Sequence, residues 1–92
     1  MAKNGTFPTA DDFRAELGRR LNRAQRAGHP RVDVKSGDLH RTVGGYPHRG
    51  GLHRMPVCCG VMVKAMRTGD EVMCSPPSGK GATLVIRYRL PR

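Results

Sequence analysis

Residues 82–90 read ATLVIRYRL, the clearest strand in the chain. Leu84, Ile86, Tyr88 and Leu90 alternate with Thr83, Val85, Arg87 and Arg89, so a strand here is apolar on one face and cationic on the other. Such a strand needs other strands beside it and apolar side chains over one face. Val72-Met73-Cys74, reached through Asp70-Glu71, supplies the nearest partner. The intervening Ser75–Gly81, with Pro76-Pro77 and Lys80, reads as a hairpin loop with a cation at its tip. Val32-Asp33-Val34 alternates over one short strand and is the third member of the sheet.

Helical periodicity supplies the covering layer. Thr9 is an N-cap with Asp11 and Asp12 in the first turn, Asp12 closing a shortened capping box. The helix it opens runs from about Ala10 to Ala27, with Phe13, Leu17, Leu21 and Ala24 as a narrow apolar stripe and Glu16–Arg20 as an i,i+4 pair. Arg14, Arg19, Arg20, Arg23 and Arg26 cover the rest, and Gly28 followed by Pro30 ends it. Ser36 caps a second helix from Gly37 to about Val43, with Leu39 and Val43 inward. Gly44–Arg54 is too rich in Gly and Pro for regular structure, and it exposes His48, Arg49, His53 and Arg54.

A third helix starts at Met55-Pro56 and stops before Gly69. On a wheel of about 100° per residue, Met55, Cys58, Cys59, Met62 and Met66 form its buried side. Val57, Gly60, Val61, Lys64, Arg67 and Thr68 collect opposite.

Ninety-two residues make one small domain, residues 9–92 after a frayed tail at 1–8. Its core yields a few kcal/mol of net stability, which favours a binding module over a deep catalytic cavity. Seventeen Lys and Arg against seven Asp and Glu leave a charge of +10, and a chain so charged repels itself unless an anion is near. Apart from Lys3, Lys35, Lys64 and Lys80 the cations are all arginine, whose planar fork suits phosphate and the guanine edge. Nucleic acid is the first partner implied, ahead of an acidic protein or a membrane surface. Three cysteines, two of them adjacent, do not make a disulfide framework, and no apolar run approaches a membrane span. A reducing, cytoplasmic setting follows.

The order helix, strand, helix, helix, strand, loop, strand, over about residues 9–90, resembles the winged helix-turn-helix proteins. The wording GDLHR, VGGYP, HRMPVCC, PPSGKGA and IRYRL is also similar to that of short basic bacterial and phage proteins. The winged-helix resemblance implies an α+β fold of three helices and a small antiparallel sheet with a β-hairpin wing. It places the third helix in the major groove and makes 75–83 the wing. Carried over by position, His53, Arg54, Val57, Val61, Lys64 and Arg67 would face duplex DNA, with Lys80, Arg87 and Arg89 contributed by the wing and its strand. The long Gly44–Arg54 connection departs from the family's short turn and reads as an added phosphate-contacting loop through Arg49.

The expectation is a small double-stranded DNA-binding protein, a regulator or an accessory module in the cytoplasm of a bacterium or phage-infected host. It carries no catalytic residue, metal or cofactor. Cys58, Cys59 and Cys74 with His40, His48 and His53 lack the C-x₂-C spacing of a zinc site, and SGKGAT lacks the first glycine of a P-loop. Two alternatives have a chemical basis. One is a module whose basic surface docks an acidic host protein. The other is a metal-free ribonuclease built on His40, His48 and His53 with the neighbouring arginines.

Overall fold

The computed structural model describes residues 9–43, 55–77 and 81–92. Its elements are α1 (Ala10–Arg26), β1 (Arg31–Lys35), α2 (Ser36–Val43), α3 (Met55–Lys64), β2 (Glu71–Cys74) and β3 (Val85–Arg89). The fold is α+β, three helices over a small antiparallel sheet of order β1-β3-β2. The strand that dominates the sequence is the central one. Arg31 to Lys35 pair with Arg89 to Val85, and Glu71 and Val72 pair with Arg87 and Ile86 on the other side. The alternation in 84–90 is realised as predicted: Leu84, Ile86, Tyr88 and Leu90 are all buried.

The first helix forms as its caps require. Thr9 and Asp12 exchange side chain-to-backbone bonds across the first turn, a complete capping box. Gly28 leaves the helix at φ 84°, a conformation that costs glycine little. Phe13, Leu17 and Ala24 face the core, joined by Val34, Leu39, Met55, Cys58, Cys59, Met62 and the buried residues of the 84–90 segment.

Two boundaries differ from the sequence reading. Ser36 is the buried first residue of α2, not a side-chain cap, because β1 runs directly into this helix. Its N–H donates to the Leu84 carbonyl and its hydroxyl to that of Gly81. Gly37 N–H donates to Ala82 O at 3.0 Å, and a Cβ at Gly37 would lie 2.9 Å from that oxygen, so only glycine lets the chains approach this closely.

The third helix ends at Lys64 rather than Thr68. Asp70 reaches back to accept from the Arg67 N–H at 2.7 Å, while Asp70 N–H donates to the Arg67 carbonyl. Gly69, at φ 97°, turns the chain between them. A carboxylate that captures these amides competes with helix continuation.

The same carboxylate closes the fold. The Asp70 side chain is fully buried and accepts from the Arg89 N–H at 2.7 Å and from the Arg92 guanidinium at 2.9 and 3.0 Å. Arg92 in turn donates to the Ala65 carbonyl at 2.6 Å and lies 5.3 Å from the centre of the Tyr88 ring. The Tyr88 hydroxyl donates to the Met62 carbonyl at 2.7 Å, which ties the end of α3 to the central strand. Removing one partner of an enclosed ion pair strands the other, so Asp70→Asn is expected to cost about 2–3 kcal/mol in urea unfolding. Tyr88→Phe, which keeps the ring and loses one bond, should cost about 1 kcal/mol. A smaller loss for Asp70→Asn than for Tyr88→Phe would contradict this arrangement.

Candidate nucleic-acid interface

Acidic side chains decide where a basic protein is attractive to a polyanion, and all seven of them lie among the described residues. Six are engaged. Asp11 holds Arg14, Asp12 closes the α1 cap, and Glu16 accepts from Arg19 at 2.9 Å and Arg20 at 3.3 Å. Asp33 takes the fork of Arg87 at 2.7 and 3.1 Å, Asp38 holds Arg41 at 2.9 Å, and Asp70 is enclosed with Arg92. The Glu71 carboxylate alone accepts no hydrogen bond among the described residues, and Glu71 stands across from Arg87 in the sheet.

These contacts shift the carboxyls. Burial pushes Glu16 and Asp70 up, but their donors outweigh it: Arg19 and Arg20 for Glu16, and the N–H groups of Arg89 and Arg67 with the Arg92 guanidinium for Asp70. Asp33 is lowered chiefly by its bond from Arg87. All three end below their ordinary values. A group depressed in the folded state contributes stability above its unfolded pKa and loses it as pH falls through the folded one. The protein should therefore hold a stability plateau near neutrality and lose stability progressively below about pH 4, where unfolded carboxyls titrate. Urea midpoints measured from pH 7 to pH 2 check this, and a midpoint that rises on acidification would contradict it.

Apart from Glu71, what remains uncompensated among the described residues is cationic. Arg23, Arg26, Arg31, Lys35, Lys64, Arg67 and Arg89 are exposed and form no ion pair among the described residues. Three of them gather around the turn between α3 and β2. Lys64 ends the helix, Arg67 lies in the turn, and Arg89 folds along Gly69, where a Cβ would meet Arg89 Cδ at 2.9 Å. The last turn of α1 reaches the same end of the molecule, since Gln25 Oε1 accepts from the Arg92 N–H at 2.9 Å.

The sequence-predicted contacts divide accordingly. Lys64, Arg67 and Arg89 are exposed as expected. Val61, predicted to face outward, is a correction: it is only 6% exposed and belongs to the core, because α3 packs against both α1 and α2 and so buries a wider arc than one sulfur-lined stripe. Val57 is half-buried and packs on the same core. Arg87, also expected at the interface, is half-buried with its guanidinium held by the Asp33 carboxylate. Arg49, His53, Arg54 and Lys80 lie outside the described residues.

The chemistry of the other candidates is equally local. His40 is fully buried with its ring 4.9 Å from that of Phe13, so it is not presented to RNA, and His48 lies outside the described residues. Cys58 and Cys59 are core residues whose thiols donate to the Ser36 and Gly81 carbonyls, while Cys74 is exposed on β2. Among the described residues no group of three or more His, Cys, Asp or Glu could hold a metal ion, and no helix is long and apolar enough to cross a membrane.

Besides the Asp33–Arg87 pair, two polar features were not read from the sequence. One is the Asp70–Arg92 pair. The other is Arg20, which bridges α1 to α2 by donating to Thr42 Oγ1 at 2.6 Å and to the Asp38 carbonyl. Both join residues 18 or more apart, and the only local hint was an acid placed directly after a turn glycine.

The division into engaged and available arginines is measurable. Brief treatment with an arginine-selective dicarbonyl, followed by peptide mapping, should label Arg23, Arg26, Arg67 and Arg89 well before Arg20 and Arg92. Equal labelling of all six would mean that the last two are not held as described.

No protein-family model, curated protein or solved structure matches this chain.

Proposed function

We propose that this protein is a small winged-helix-like module that binds double-stranded DNA, chiefly through its phosphates. The element order and the β1-β3-β2 sheet are compatible with that family's arrangement. The observation that carries the reading is electrostatic. Lys64, Arg67 and Arg89 stand exposed around one turn and none of them forms an ion pair among the described residues, while six of the seven acids are engaged in contacts inside the protein.

The outward arc of α3 shapes the kind of binding. It presents Pro56, Gly60, Val63 and Lys64, and a methyl added at Gly60 would meet open space. A helix with this surface approaches a groove closely and touches thymine methyls, but it offers only one donor side chain for base edges. Affinity on this reading comes from phosphates and is weakly sequence-selective.

Titration of a short random-sequence duplex at several salt concentrations tests the proposal. Log affinity should fall with log salt at about −0.9 per phosphate neutralised, and Lys64→Ala and Arg67→Ala should each flatten the slope by about 1. Glu71→Gln, which removes the one unbonded acid, should strengthen binding. Absence of binding at low salt, or binding indifferent to both alanine variants, would refute it.

A further inference from the structure

The first strand is an edge of the sheet, and half of its backbone groups meet no partner among the described residues. Hydrogen bonds from Leu90 N–H to Pro30 O and from Ser36 N–H to Leu84 O, both 2.8 Å, bracket β1. With the antiparallel register they make Val32 and Val34 the residues that exchange bonds with Tyr88 and Ile86. Arg31, Asp33 and Lys35 therefore turn their N–H and C=O groups away from β3, and no described residue pairs with them. Beside this edge, the C-terminal half of α1 leaves a shallow groove of about 410 Å³, floored by Ala24, Ala27 and Val32 and rimmed by Arg23 and His29.

The surroundings select the occupant. Arg23, Arg31 and Lys35 are positive and exposed, and the one acid in the neighbourhood, Asp33, is already held by Arg87. Three outward carbonyls would repel a phosphate backbone, whereas a polypeptide meets them with N–H groups. The apolar floor has no aromatic ring on which a base could stack.

We infer that the free edge of β1, with its groove against α1, takes an extended acidic peptide as an antiparallel fourth strand. Peptide residues opposite Arg31 and Lys35 are carboxylates, and they exchange the main-chain bonds. The alternate residues are apolar and lie on Ala24, Ala27 and Val32. Strand addition of this kind draws affinity from the backbone and selectivity from alternate side chains. It adds a partner to the DNA-binding reading and does not depend on it.

The probe is a labelled peptide of alternating glutamate and valine with threonine at its centre, since a third carboxylate there would face Asp33. N-methylation of the glutamates and threonine blocks the N–H groups that pair, and should weaken binding at least about tenfold. N-methylation of the valines, whose N–H groups point to solvent, should leave affinity within about twofold. Replacing glutamate by lysine should also cost about tenfold or more. Because all three changes are made in the peptide, the protein's folding is untouched. Amide shifts on the protein should centre on Asp33 and Lys35. The inference is overturned if both methylation patterns weaken binding equally, if the shifts fall on β2, or if duplex DNA and not the peptide moves Asp33 and Lys35.

Discussion

The carboxylate of Asp70 is the joint on which the basic end of the molecule turns. By accepting from Arg67 N–H, Arg89 N–H and the Arg92 guanidinium it stops α3, starts the return to β2 and fastens both to the end of β3. Arg92 passes the constraint on to Tyr88 and the Ala65 carbonyl. The exposed Arg67 and Arg89 are thereby brought beside each other by an anion that solvent never reaches. A chain of net charge +10 would otherwise gain by keeping such cations apart.

The same economy runs through the rest of the structure. Acids serve as internal clamps: Glu16 on α1, Asp38 on α2, Asp33 across the sheet, each holding one or two arginines. The cations they take are removed from the interactive surface, and those left over among the described residues lie at the α3–β2 turn and along the last turn of α1 and the β1 edge. Arginine-rich composition alone therefore overstates how much of the surface is available. The cysteines contribute packing rather than reactivity at the centre, where burial, with Cys59 beside it, pushes the Cys58 thiol up to about 12.

Legibility followed range. The capping box of α1, the alternation of 84–90 and the stop at Gly28 each depend on residues within a turn or two, and each could be read from neighbours. The face of α3 could not. Its apolar residues go almost all the way round, and a wheel shows which residues share a side but not how many sides are covered. With α1 and α2 both packed against it, Val61 moved from the predicted contact surface into the core. Arg87 was likewise legible as outward-facing on the strand, but not as spoken for, because its partner Asp33 is 54 residues away.

By itself the sequence determined the α+β class, the strand at 84–90, the three helices and the excess of positive charge, since these rest on periodicity, local capping and composition. Only the tertiary structure decided which of the described cations remain free of ion pairs, which helix faces are closed and which strands form the edges of the sheet. Those outcomes depend on pairings between distant residues, and a carboxylate's choice of arginine is set by where the fold puts it.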